Sequence, residues 1–219
     1  MMKIPRRRFN ASLLGSAALT AAGLPQLSWA QGGTPVEGTQ YQRLAQPLPA
    51  AASGKIEVFE FFLYTCPHCY ALDPLLSAWS KQLPADVVLR RIHVGVGAMH
   101  KLHQRMFYAL EAMGRLGDLH EAVFKAFHVD HAELTDEKSI TALMGKLGVD
   151  TAKFSAAFNS FGAQTRLGQM AKLATDYKVE GVPALGVGGR YLTAPSMAKG
   201  NAQALAVTDH LIKLVRGKA

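Results

Sequence analysis

Glu60-Phe61-Phe62-Leu63-Tyr64-Thr65-Cys66-Pro67-His68-Cys69-Tyr70 decides how the rest of the chain is read. It contains the only two cysteines among 219 residues, set three positions apart where an apolar, aromatic run gives way to helical spacing. Upstream, Lys55 to Phe62 is rich in β-branched and aromatic residues and predicts a central strand buried on both faces. Downstream, Leu72, Leu75, Leu76, Trp79 and Leu83 fall on one side of a helix starting at Cys66. Pro67 suits its first turn, whereas Pro74 lies inside it and predicts a kink. Val87 to Val94 reads as a second buried strand, so the unit is strand, helix, strand with a parallel crossover.

Before this unit, Thr39 to Leu44 predicts a short edge strand. After it, helical spacing covers roughly His100 to Met113, Asp118 to His128, Asp136 to Leu147, Thr151 to Asn159 and Gly162 to Tyr177. Thr135, Asp150 and Ser160 are candidate N-caps, and Gly148 a C-cap. Gly181-Val182-Pro183 reopens extended structure. Ala184 to Val187 and Arg190 to Thr193 flank Gly188-Gly189 as a hairpin, and Asn201 to Arg216 closes the chain as a helix. The order βαβ, helices, ββα is that of an α/β fold interrupted by an all-helical domain, with divisions at 31–98, 99–177 and 178–219.

Residues 1–30 read as a cleaved export signal. Lys3, Arg6, Arg7 and Arg8 precede a mildly apolar Ala11 to Leu24 and the small-residue site Ser28-Trp29-Ala30. Arg6-Arg7-Arg8-Phe9 fits a twin-arginine pattern, but Pro5 and Asn10 depart from it, so either export route remains open. Those four cations carry half of the net charge of +8, and no dense basic cluster remains downstream. Nucleic-acid binding is therefore not expected. With 49% hydrophobic and 18% charged residues, the remainder has the makings of a globular core, and we expect a monomer.

A disulfide across two intervening residues closes too short a loop to staple a fold, so the cysteines serve reactivity or metal. Thiolates attack disulfides, and a cysteine at a helix start meets unpaired N–H groups and the positive end of the helix dipole. Cys66 has that place. His68 adds a donor beside it or is incidental, and Cys69, deeper in the helix, is the second sulfur. Glu60 is either a partly exposed strand-end carboxylate or a buried acid that moves the proton of Cys69. Alternation sets it on the face of Ile56, Val58 and Phe62. Val182-Pro183 marks a turn, or a cis bond beside the dithiol whose neighbouring backbone pairs with a substrate strand.

Structural zinc would need two further ligands, for which His100 with His103 or His128 with His131 are candidates. Such histidine pairs are more often surface or core residues. Two readings from other classes stay beside the redox one: a metal-binding protein, and a non-catalytic peptide-binding chaperone.

Phe59-Glu60-Phe61-Phe62, Cys66-Pro67-His68-Cys69-Tyr70 and Gly181-Val182-Pro183-Ala184 together resemble the active-site passage and cis-proline loop of the DsbA family of bacterial periplasmic disulfide oxidoreductases. The resemblance implies a thioredoxin fold with a helical insertion, the nucleophile at Cys66, its partner at Cys69, the cis-proline at Pro183 with Val182 before it, and the buried acid at Glu60. It further implies a periplasmic dithiol oxidase with no cofactor beyond its own disulfide, acting on reduced or unfolded exported proteins and reoxidised by a DsbB-like membrane quinone reductase. An isomerase or reductase is the neighbouring alternative. Leu63-Tyr64-Thr65 and Pro74 depart from the better-known members, which touches substrate preference and potential rather than the reaction.

Overall fold

The computed structural model describes residues 33–217 except Ala52 and Val96, so the export signal expected over residues 1–30 lies outside the described residues. The elements run β1 (Tyr41–Arg43), β2 (Ile56–Phe62), α1 (Pro67–Ser80) and β3 (Val87–His93). Five helices follow: α2 (Ala98–Ala112), α3 (Leu116–His128), α4 (Glu137–Lys146), α5 (Thr151–Phe158) and α6 (Phe161–Asp176). The chain then closes with β4 (Ala184–Val187), β5 (Tyr191–Thr193), α7 (Pro195–Ala198) and α8 (Asn201–Arg216). The anticipated order holds, with α7 the one unforeseen helix; its four residues are too few to show periodicity.

One five-stranded sheet has the order β1-β5-β4-β2-β3. β2 runs parallel to β3 and antiparallel to β4, as a βαβ unit joined to a returning hairpin requires. Gly188 and Gly189, at φ +56 and +66, supply the two left-handed positions of a tight hairpin turn. β3 differs from its reading as a buried strand. It is the sheet edge, with Arg90 exposed and bonded through Nε to Glu57 at 2.6 Å.

The two faces of β2 enter different cores. Phe59 and Phe61 pack on Tyr177 at the end of the insertion. Val58 joins Leu72 and Leu76 of α1, Leu185 and Val187 of β4, and Leu211 of α8. Phe62, expected beside Val58, instead meets Phe107 of α2 and Phe124 of α3, because the strand ends there and the insertion closes over it. Leu75, expected on the inner face of α1, is 46% exposed. Cys69, Leu72, Asp73 and Leu76 form that face instead, and α1 continues through Pro74.

Capping fixes where the inserted helices start. Asp150 accepts from the backbone of Ala152 and Lys153, and Ser160 from Ala163, as expected. For α4 the cap is Asp136 rather than Thr135, completed by a reciprocal bond with Ser139. Gly148, at φ +74, follows α4 in the left-handed conformation that ends helices.

Tyr177 ties the insertion to the hairpin. Its hydroxyl accepts from the Gly189 N–H at 2.8 Å, and its ring lies where a Cβ on Gly186 would meet it at 2.5 Å. Gly186→Ala should therefore cost about 1–3 kcal/mol through overpacking, read from urea unfolding. An unchanged midpoint would show that Tyr177 can move aside freely.

Candidate active site

The sheet delivers its central strand to the start of α1. β2 ends at Phe62, three residues carry the chain over its edge, and Cys66 becomes the N-cap of α1 with Pro67 in the first turn. The Cys66 N–H donates to Leu63 O at 3.2 Å, and the Tyr70 N–H to Cys66 O at 3.1 Å. A serine or aspartate at this position would accept from the first-turn N–H groups; the Cys66 side chain makes no such cap bond. Its thiol donates to Val182 O at 3.7 Å. The two cysteines are unbridged, Cys66 half-buried and Cys69 fully buried.

Val182-Pro183 is cis, so the loop before β4 sits against the first cysteine. Pro67 and His68 are exposed on the outer side of the first turn, while Val182 is half-buried and Pro183 buried. The structure thus gathers Cys66, Cys69 and the Val182-Pro183 loop, and leaves His68 facing outward.

Beneath the dithiol, Glu60 has no exposed surface, so it is not the partly exposed strand-end carboxylate of the first reading but a buried acid. Burial raises its carboxyl to about 7, against the opposing pull of Arg91 and with a further push from Asp73. Burial likewise pushes the Cys69 thiol far up. A hydrogen bond from the Leu63 backbone opposes this, and Cys66 and Glu60 add to it. Glu60 and Cys69 are therefore close enough for the charge of one to oppose the charge of the other.

Glu60 is not alone. Its register partner across the parallel pair is Arg91, whose Nε lies 3.1 Å from Glu60 Oε2 and whose Nη2 lies 2.9 Å from Asp73 Oδ1. His120 of α3 completes the cluster, with Nε2 3.3 Å from Asp73 Oδ1. Burial acts to raise the Asp73 carboxyl, but His120 and Arg91 together outweigh it and hold Asp73 below its ordinary value. Burial also keeps His120 toward its neutral form against the pull of Asp73. A cleft of about 910 Å³ between α1 and α3 reaches Asp73, Arg91 and His120 but not Glu60, so any proton exchanged by Glu60 with solvent must pass its neighbours.

Asp73, Arg91 and His120 were not singled out from sequence. The signal lay in Asp73, four residues after Cys69 on the inner helix face, and in Arg91, a charge inside a strand running parallel to that of Glu60.

Donor atoms of Glu60, Asp73 and His120 lie within 4.8 Å of one another, yet the Arg91 guanidinium bridges the two carboxylates and already supplies the positive charge. One histidine of each pair considered for zinc has another partner. His103 Nε2 bonds Leu134 O at 2.8 Å, and His128 Nε2 bonds Tyr64 O at 2.8 Å.

An unbridged cysteine pair at a helix N-terminus, a cis-proline loop against the first sulfur and a mixed sheet beneath define a thioredoxin-type dithiol centre. Comparison with known proteins agrees. The family described as DSBA-like thioredoxin domain matches residues 76–211. The thiol:disulfide interchange protein DsbA of Bordetella pertussis is 42% identical over 202 residues, 91% of this chain and 94% of that protein, a span that necessarily includes the dithiol. The DsbA of Pseudomonas aeruginosa is 38% identical over 208 residues, 95% of this chain and 98% of that protein. The crystal structure of Pseudomonas aeruginosa DsbA superposes with a TM-score of 0.81 at 38% identity, covering 84% of this chain and 96% of that one. For NmDsbA1 of Neisseria meningitidis the TM-score is 0.72 at 30% identity, over 84% and 95%. The chain belongs to the DsbA family of thiol:disulfide oxidoreductases.

The raised carboxyl of Glu60 sets a sign. Folding favours its protonated form, so its contribution to stability is complete below the ordinary value near 4.5 and is lost as pH rises through about 7. Glu60→Gln, neutral throughout, should gain on the order of 2–3 kcal/mol relative to wild type between about pH 5 and pH 8 in urea unfolding. Parallel stability profiles for the two proteins would contradict the assignment.

Proposed function

We propose that Cys66 and Cys69 are the redox pair and that the protein donates their disulfide to newly exported proteins in the periplasm. The observation that carries this is Cys66 as the N-cap of α1. A thiolate there no longer donates to Val182 O and becomes a pure acceptor facing the positive end of the helix. Stabilising the negative sulfur stabilises the reduced pair and weakens the disulfide, which favours giving it away.

A substrate thiolate attacks Cys66 Sγ, forming a mixed disulfide as the Cys66–Cys69 bond breaks and its electron pair leaves with Cys69. The Cys69 thiolate, deep in the core, takes a proton, for which protonated Glu60 beneath it is the nearby acid. A second substrate thiolate then attacks the substrate sulfur of the mixed disulfide and releases Cys66. The substrate has lost two electrons, the enzyme holds a dithiol, and a DsbB-like membrane quinone reductase takes the electrons away.

Pro67 contributes no N–H at the first turn, and the exposed His68 adds a donor near Cys66. Val182 and cis-Pro183 hold the backbone leading into β4 beside the sulfur, where a substrate segment can pair as a strand. No cofactor besides the disulfide enters the scheme, and the working form is a monomer.

Incubation of the oxidised protein with a reduced, unfolded thiol protein tests this. Given a substrate with a single thiol, which cannot resolve the mixed disulfide itself, Cys69→Ser carrying Cys66 as a glutathione mixed disulfide should release glutathione and stop at a covalent complex visible on a non-reducing gel. Cys66→Ser should form none. Equal trapping by both variants, or a wild-type potential near the value of about −270 mV typical of thioredoxin, would remove the oxidase reading.

A further inference from the structure

Tyr64 stands between β2 and the dithiol, and each of its three polar groups is taken by a histidine. Its N–H donates to His93 Nε2 at 3.2 Å, its hydroxyl meets His120 Nδ1 at 2.9 Å, and its carbonyl meets His128 Nε2 at 2.8 Å. A carbonyl only accepts, so the His128 imidazole donates. His120 and His128 both belong to α3 of the insertion. His128 makes one contact more: its ring stacks on Tyr70 at 4.7 Å and 7°. Tyr64 precedes Cys66 by two residues and Tyr70 follows Cys69 by one, so one half-buried histidine holds both flanks of the cysteine pair.

We infer that His128 is a positioning residue for the dithiol, holding the backbone on both sides of Cys66 and Cys69 in the arrangement that suits the unbridged pair. The inference rests on the redox role proposed for those cysteines. Closing the disulfide draws the sulfurs to about 2.05 Å within a narrow range of dihedral angles. Cys69 is fixed in α1, so closure acts on the N-cap residue and on the Leu63-Tyr64-Thr65 connection before it. That connection is what α3 grips.

His128 also sits at the last turn of α3, with Phe124 one turn back against both Tyr64, at 5.0 Å, and Tyr70, at 5.9 Å. The aromatic contact positions the two flanks, and the His128 bond adds direction to it. A contact worth more to the dithiol than to the disulfide shifts the redox equilibrium by that difference and by nothing else. A contact that merely stabilises the fold lowers both forms equally when removed and leaves the equilibrium where it was.

The test is the equilibrium of the full mature protein with glutathione, measured for wild type, His128→Ala, His128→Gln and His128→Phe. His128→Ala should lower the constant for oxidation of glutathione three- to tenfold, about 15–30 mV. His128→Gln, which keeps a donor, and His128→Phe, which keeps a ring, should each fall less far. Should His128→Ala not fold, a threefold fall in either of the other two supports the inference. All folded variants within twofold of wild type, or a rise in the constant, overturns it. A wild-type pair that does not exchange with glutathione overturns the redox reading as well, whereas normal wild-type exchange beside unaffected variants overturns this inference alone.

Discussion

Helix α1 begins with a sulfur where most helices place an oxygen. The N-cap position ordinarily satisfies the backbone donors of the first turn, and here its side chain is a thiol that makes no cap bond. The rest of the molecule keeps that sulfur there and in reach. β2 fixes the height at which the chain leaves the sheet, and its pairing with β4 brings the Val182-Pro183 loop to the opposite side of Cys66. The helical insertion covers the end of β2 through Phe107 and Phe124, so Cys69 is shut away while Cys66 stays half-open. An asymmetric pair of thiols, one reachable and one not, follows from this packing.

A second constraint lies underneath. A carboxylate with no exposed surface is costly to charge, and Glu60 is held in the core beside Arg91, its partner in the parallel register. Arg91 also serves Asp73, and Asp73 faces His120, so α1, β2, β3 and α3 share one ionic cluster. The cleft between α1 and α3 reaches the cluster at Asp73, Arg91 and His120, and Glu60 lies behind them with no exposed surface. Glu60 is thus an acid near neutrality in its proton affinity, placed close enough to the buried Cys69 thiol to oppose its charge.

Much of this was legible in the chain. The strand before Cys66, the helix after it, the Gly188-Gly189 hairpin and the helical run between β3 and β4 are all written in local periodicity and turn chemistry, which operate over a few residues. Cys66 and Cys69 stood out because no other cysteine competes with them. Arg91, Asp73 and His120 did not, because what makes them matter is a cross-strand register and a helix packed from elsewhere. Neither is encoded in spacing. His128 was weighed as half of a zinc pair with His131; its partners, Tyr64 and Tyr70, are far away in sequence and are met only once α3 folds back over the dithiol. Leu75 and Arg90 were misplaced for a related reason, since periodicity finds an apolar stripe but not its edge, and a strand's composition does not say which of its sides lacks a neighbour.

If the helix start stabilises the reduced sulfur, the disulfide must be a burden to the fold, the reverse of what a cross-link ordinarily does. Urea unfolding of the oxidised and the dithiol forms of the mature protein at neutral pH measures this directly. The geometry of Cys66 predicts that the dithiol form unfolds at the higher urea concentration. An oxidised form that is the more stable of the two would contradict it.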